Sequence, residues 1–83
     1  MTTVSKRDGR TEEFVPEKIV VSAVKSGATP EAAREIAGEV ERSAGATIST
    51  KDIRSRVLGG LERRNPDWRR NWEVYDQAVK RRG

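Results

Sequence analysis

A dense group of charged residues lies near the N-terminus, around the dipeptide Asp8-Gly9. An Asp-Gly pair is typical of a tight turn between two strands, and it favours the two-residue type I′ turn, whose central residues both need a positive φ. Such a turn brings its flanking segments side by side. The charged residues that would converge there are Lys6, Arg7, Arg10 and Glu12, with Lys18 entering from the following helix. Several cations over a small area suit a polyphosphate, because lysine binds as a point charge and arginine as a fork. A hairpin with solvated charges is the alternative interpretation.

A second candidate site lies in the segment from Ile48 to Ile53, which reads I-S-T-K-D-I. Ser49 or Thr50 is placed to cap a helix that begins here. Hydroxyl groups and free backbone N–H groups at a helix N-terminus form a natural site for an anion. A plain helix cap with no ligand is the commoner explanation of the same pattern.

The composition excludes several kinds of chemistry. The 83 residues include no cysteine and no histidine, so thiol catalysis, zinc ribbons and histidine general bases are ruled out. The chain contains neither a Walker loop nor a GxGxxG motif. Glu12 and Glu13 would face opposite sides of a strand, which argues against paired acid–base work. We therefore expect a non-enzymatic protein. No apolar run is long enough for a membrane span, and the lack of cysteine fits the cytoplasm.

The elements that must position these residues form an α+β fold. The order predicts a β-hairpin from Val4 to Phe14 and a third short strand, Ala46 to Ile48, packed on a bundle of about four helices. The helices are expected over about 16–26, over 30–44, from Ser49 or Thr50 onward, and after Asn65-Pro66-Asp67. The pair Gly59-Gly60 inside the third helix indicates either a close helix contact or a weak point. A single domain over 1–83 is expected, with a basic tail at 80–83.

The charge is uneven, which raises the alternative of nucleic-acid binding. Residues 51–83 hold 10 Lys and Arg against 5 Asp and Glu, a balance of +5 within a net charge of +4. Basic pairs interleaved with aromatic residues can track phosphates and stack bases. However, Trp68, Trp72, Tyr75 and Val79 recur on one helical face, a spacing that favours core packing instead.

Taken together, these motifs resemble the ATP-cone domain. The resemblance rests on V-S-K-R-D-G-R at residues 4–10, on Glu12, Phe14 and Lys18-Ile19, and on the I-S-T-K-D-I segment. It covers about residues 3–80. This module occurs at the N-terminus of many ribonucleotide reductase large subunits and in a bacterial repressor of reductase genes. The resemblance implies a regulatory domain that binds ATP or dATP, with Mg²⁺ as a possible companion, and that acts through a partner or by self-association.

The resemblance also implies a set of nucleotide-binding residues. Their positions in this chain are Val4, Lys6, Arg7, Glu12, Lys18, Thr50 and Lys80. The backbone of Val4 would meet the adenine region, and Glu12 would serve the ribose or the base. Phosphate contacts would come from Lys6, Arg7 and Lys18. Thr50 would bond near the base or phosphate, and Lys80 or Arg81 would stand where some members bring in a C-terminal lysine.

The chain also departs from the family pattern. Val15 and Pro16 replace positions that are often polar in relatives, no zinc ribbon precedes the motif, and no reductase domain follows it. The Met1 start and the basic tail favour a small free protein. A degenerate cone that serves only protein interaction is a third hypothesis. The preference between ATP and dATP, the number of nucleotides bound and the identity of any partner stay open.

Overall fold

Four helices and three short strands make up the described part of the chain. The computed structural model describes the backbone of residues 2–82 and the side chains of residues 2–78. The elements are β1 (Thr3–Ser5), β2 (Thr11–Glu13), α1 (Pro16–Lys25), α2 (Pro30–Ala44), β3 (Thr47–Ser49), α3 (Thr50–Arg64) and α4 (Pro66–Arg82). The predicted α+β fold is confirmed, including the order of its elements. No helix within the described residues is long and apolar enough to cross a membrane.

The three strands form one mixed sheet with β1 in the middle. β1 pairs antiparallel with β2 and parallel with β3, in the order β2-β1-β3. Ser5 and Ser49 are register partners at the ends of β1 and β3. Because parallel strands run in the same direction, the chain leaves both strands at one edge of the sheet.

The hairpin turn differs from the predicted type. Gly9 has a φ of 91°, but no non-glycine residue in the described chain has a positive φ, so Asp8 does not adopt the type I′ conformation. The Gly9 amide donates to the Lys6 carbonyl at 3.0 Å, and the Lys6 amide donates to the Arg10 carbonyl at 2.8 Å. This is a three-residue loop with the glycine in a left-handed position. The turn therefore lies where the Asp-Gly pair predicted it, but it is one residue longer.

Helix boundaries follow from capping residues that the sequence displays. Pro16 and Pro30 begin α1 and α2, where their missing N–H groups cost nothing. The Thr29 hydroxyl accepts from the Ala32 amide, and the Ser49 hydroxyl accepts from the Asp52 amide, both at 3.1 Å. Each such cap contributes about 1 kcal/mol. Ser49 thus ends β3 and caps α3 at the same point.

The core lies between the sheet and the helices. It contains Val4, Phe14, Ile19, Ile36, Val40, Ile48, Val57, Leu61 and Trp72, with several alanines from α1 and α2. Gly60 allows α2 and α3 to approach closely, because a Cβ there would lie 3.1 Å from Ile36 Cγ1. Gly59 faces open space. The close-contact interpretation of the glycine pair therefore applies to Gly60 alone.

The aromatic stripe of α4 is buried only in part. Trp72 is 9% exposed and belongs to the core, and Trp68 is half-buried against it. Tyr75 is 37% exposed, so the core packing expected for the tryptophans of this stripe does not extend to it. Its hydroxyl lies 3.3 Å from Lys25 Nζ, which also stands 5.4 Å from the centre of its ring. The side chain of Val79 lies outside the described residues.

Candidate functional site

An open cleft lies at the edge of the sheet where β1 and β3 end. Its volume is about 550 Å³. The lining residues come from three places: the end of β1 and the loop after it (Ser5, Lys6 and Arg7), the start of α3 (Ser49, Thr50, Lys51, Ile53 and Arg54), and α4 (Trp72 and Asp76). The cleft thus brings together the two sequence segments that were singled out for anion binding.

The parallel pairing of β1 with β3 explains this convergence. Lys6 and Arg7 directly follow β1, and Thr50 directly follows β3. Because Ser5 and Ser49 are register partners, the residues after them emerge side by side. The amides of Thr50 and Lys51 have no acceptor within the helix, as at any helix N-terminus. The helix dipole adds a partial positive charge at the same place.

Positive charge dominates the cleft. Lys6, Arg7, Lys51 and Arg54 line it, and Asp76 is the acidic residue among its lining side chains. Lys6 Nζ lies 3.2 Å from Glu12 Oε2, across the hairpin. Arg7 and Lys51 are both exposed. The cleft can therefore accept a ligand with several negative charges, since its cations outnumber the carboxylates that line it.

The wall of the cleft opposite the strand ends comes from α4. The guanidinium carbon of Arg54 lies 5.8 Å from the centre of the Trp72 ring. Arg54 Nη1 lies 3.5 Å from Asp76 Oδ2. The indole N–H of Trp72 is buried and makes no hydrogen bond to any described residue. This wall therefore combines an aromatic ring, a cation held against it and a carboxylate.

Several predicted site residues lie outside the lining of this cleft. The side chain of Val4 is buried in the core, which leaves only its backbone for the predicted contact. Glu12 lies beside the cleft through its ion pair with Lys6. Lys18 lines a separate concavity of about 300 Å³ with Val21 and Tyr75. The side chain of Lys80 lies outside the described residues.

The lining residues that were not among the predicted nucleotide-binding residues include Lys51, Arg54, Trp72 and Asp76. Lys51 and Arg54 belong to the first turns of α3, and Arg54 follows Thr50 by four residues, a spacing that places both on one helix face. That spacing is a usable signal. Trp72 and Asp76 are also four residues apart, on α4, but no local pattern says which element α4 packs against.

A larger concavity of about 750 Å³ lies between α2 and α3. Among its lining residues, Arg63 pairs with Glu39, with Arg63 Nη2 3.0 Å from Glu39 Oε1. The neighbouring Arg64 pairs with the same carboxylate, with Nη2 3.0 Å from Glu39 Oε2. The hydrogen bond from Arg64 is the main cause that holds the pKa of Glu39 below its ordinary value. We call this group of three residues the α2–α3 clamp. It ties two helices together.

Two other arginines of the C-terminal third, Arg69 and Arg56, also have partners. Arg69 contacts both Glu62 and Glu73, and the hydrogen bond with Glu62 raises its pKa above the ordinary value. Arg56 donates to the Ser43 hydroxyl at 3.0 Å. Several arginines of this region are therefore engaged in local ion pairs and hydrogen bonds. Within the described residues, no group of three or more carboxylates is placed to hold a metal ion.

Fold and cleft together give a small α+β structure with a cation-lined cleft at the edge of its sheet. A family model of the ATP cone domain matches residues 2–81. The chain belongs to the ATP-cone family, and the resemblance noted from its motifs is confirmed. Domains of this family are regulatory and non-catalytic, and they bind ATP or dATP. Nucleotide sensing is therefore the class of function to which this chain belongs.

The chain is also similar to an uncharacterized protein of Archaeoglobus fulgidus. The two are 45% identical over 42 residues, which is 51% of this chain and 89% of that protein. This relative brings no assigned activity to the comparison.

Proposed function

We propose that this protein binds ATP or dATP in the cleft at the ends of β1 and β3 and passes the nucleotide state to a partner, either another protein or a second copy of itself. The nucleotide would favour one conformation or one oligomer in proportion to its preference for that state. The protein itself performs no chemistry on the nucleotide. Mg²⁺ would enter with the nucleotide phosphates.

The convergence of Lys6, Arg7, Lys51 and Arg54 in one cleft carries this proposal. These residues come from segments more than forty positions apart in the chain, yet strand pairing places them at one helix N-terminus. Lysine and arginine around a helix N-terminus form an arrangement suited to a triphosphate. Val4 through its backbone, Glu12, Thr50 and Lys80 complete the proposed site as the family pattern implies. Lys18, the remaining residue of that pattern, lines a separate concavity in this structure.

The same structure favours a nucleotide over a nucleic acid. A nucleic-acid surface needs exposed cations next to exposed aromatic rings. Here Arg63, Arg64 and Arg69 are engaged by carboxylates, and Trp72 is buried. These arginines of the basic C-terminal third therefore make contacts within the protein, and they are less available to bind a phosphate backbone.

A calorimetric titration with ATP and with dATP, each with and without Mg²⁺, tests the proposal. We expect micromolar affinity for at least one nucleotide. The ratio of the two affinities identifies the nucleotide pool that the domain senses. An affinity weaker than millimolar for both would contradict nucleotide binding and leave the motifs as a scaffold.

The proposed effect of the nucleotide on a partner or on self-association needs a separate measurement. Sedimentation velocity with and without the better nucleotide tests self-association. A mass that changes with nucleotide would support an oligomer switch. A constant monomer mass would instead direct the search to a partner protein.

A further inference from the structure

Arg54 is held by two groups of α4 inside the cleft. One side of its guanidinium group lies over the Trp72 ring, 5.8 Å from the ring centre to the guanidinium carbon. Its Nη1 atom lies 3.5 Å from Asp76 Oδ2. The side chains of Arg54 and Asp76 are 37% and 21% exposed. The pair therefore stands at the boundary between the protein and the open cleft.

The geometry of this pair makes it exchangeable. A strong charge-assisted hydrogen bond between arginine and a carboxylate has an N···O distance of about 2.7–2.9 Å. The Arg54–Asp76 distance of 3.5 Å is longer, in contrast to the 3.0 Å bonds of the α2–α3 clamp. A phosphate group offers an arginine fork two oxygens and more negative charge than a carboxylate. A phosphate in the cleft would compete with Asp76 for the same donor.

We propose that Asp76 is an internal competitor of the nucleotide phosphates for Arg54, so that nucleotide binding breaks the ion pair that joins α3 to α4. This inference rests on the proposed function, because it assigns the phosphates to this cleft. It gives Asp76 two effects. Asp76 lowers the affinity for nucleotide, and its release from Arg54 couples binding to the contact between two helices. By thermodynamic linkage, the free energy by which the Arg54–Asp76 pair weakens nucleotide binding equals the free energy by which bound nucleotide weakens that pair.

The first test is the variant Asp76→Asn, which keeps the shape of the side chain and removes its charge. We expect its affinity for ATP or dATP to rise about three- to tenfold at low salt, and less at high salt, because an exposed pair is screened. The matched control is Glu73→Gln. Glu73 lies on the same helix and pairs with Arg69 outside the cleft, so this variant makes the same charge change without touching Arg54. Its affinity should stay within twofold of the original protein.

A double-mutant cycle separates competition for Arg54 from a general charge effect. In an Arg54→Gln background, Asp76 has lost the group for which it competes. We therefore expect Asp76→Asn to bring no further gain in that background. An undiminished gain there would show that Asp76 acts only through the overall field, and it would overturn the inference. Circular dichroism confirms the helical fold of each variant, and Asp76→Ser replaces Asp76→Asn if the latter loses that signal.

The outcomes distinguish this inference from the proposed function. If the original protein binds nucleotide and Asp76→Asn binds no better, the competitor role is wrong and nucleotide binding stands. If neither nucleotide binds to the original protein, inorganic tripolyphosphate is the probe for both proteins. Tripolyphosphate binding that appears or strengthens in Asp76→Asn supports the competition, and equal weak binding by both proteins overturns it.

Discussion

Two concavities of this domain carry arginines at comparable density, and they use them in opposite ways. In the α2–α3 clamp, one carboxylate from Glu39 bonds two guanidinium groups at 3.0 Å each. In the cleft at the strand ends, four lining cations face one carboxylate among the described lining residues, that of Asp76, whose Oδ2 lies 3.5 Å from Arg54 Nη1. The concavity beside the clamp is the larger, about 750 Å³ against about 550 Å³ for the cleft.

The difference shows that pocket size and arginine content do not identify a ligand site. A cation that already donates to a protein carboxylate contributes little to the recognition of another anion, because binding must first break that pair. The useful quantity is the positive charge left over after internal pairing. By that measure we expect the ligand in the smaller cleft and a structural role for the clamp.

The largest expected effect comes from removing two positive charges from the cleft and, in a separate variant, two from the clamp. The double variant Lys6→Gln with Arg7→Gln removes two cleft cations, and we expect at least about a hundredfold loss of nucleotide affinity, about 2.7 kcal/mol. The double variant Arg63→Gln with Arg64→Gln removes as many charges from the clamp. It should leave affinity within about threefold and lower the free energy of unfolding by about 1 kcal/mol.

Calorimetry and urea denaturation on both double variants measure the two quantities. The comparison between regions would fail if the clamp variant lost nucleotide affinity as strongly as the cleft variant. It would also fail if the cleft variant kept its affinity with its fold intact. Either result would move the anion site away from the strand ends.

The two adjacent glycines of α3 provide the next test. Substitutions there probe the packing of α2 against α3 without changing any charge. We expect Gly59→Ala to raise the free energy of unfolding by about 0.5–1 kcal/mol, since a Cβ there meets open space and alanine favours a helix. Gly60→Ala would place its Cβ 3.1 Å from Ile36, which is fully buried and has no room to move. We expect a loss of about 1 kcal/mol.

The difference between the two alanine variants, about 2 kcal/mol, is therefore the informative number. Thermal or urea unfolding measures it directly, and neither variant should change nucleotide affinity. Equal stabilities would mean that α2 and α3 do not approach at Gly60.

Residues that act through local chemistry could be predicted from the sequence. Thr29, Pro30 and Ser49 mark helix starts by their own capping geometry, and the structure confirms these starts. Lys6, Arg7 and Thr50 were predicted as binding residues, and they meet in one cleft. Their meeting was suggested by family resemblance. Nothing in the two segments alone states that β3 pairs parallel with β1.

The parts that escaped prediction depend on long-range packing. Asp8 was expected in a type I′ turn, but a three-residue loop with Gly9 alone at positive φ satisfies the same sequence. Tyr75 shares the helical stripe of Trp72, yet the core is too narrow to cover both, as expected for so small a domain. Asp76 enters the site only because α4 packs along α3, and periodicity carries no information on that choice.

The two helix caps give a smaller effect that bears on the same comparison. Thr29→Ala and Ser49→Ala each remove one side-chain acceptor from a helix N-terminus, and each should lower the free energy of unfolding by about 1 kcal/mol. Only Ser49 lines the cleft. Nucleotide affinity should therefore fall in Ser49→Ala and stay unchanged in Thr29→Ala, as calorimetry would show. An equal loss in both would indicate that affinity follows overall stability and not the cleft.

The smallest expected effect concerns the dependence of the clamp on pH. The hydrogen bond from Arg64 lowers the pKa of Glu39 in the folded protein relative to the unfolded chain. The clamp therefore contributes its full stability above the pKa that Glu39 has in the unfolded chain, and loses it as the pH falls through the lower folded-state pKa. Glu39 is partly exposed, so screening limits this contribution to about 0.5–1 kcal/mol.

Glu39→Gln should be less stable than the original protein by that amount at pH 7, and the two stabilities should converge at low pH. Glu41→Gln, an exposed neighbour on the same helix, is the control and should follow the original protein at every pH. Urea denaturation across this pH range measures all three, and a gap between Glu39→Gln and the original protein that persists undiminished in acid would show that packing, not the charge of Glu39, holds α2 to α3.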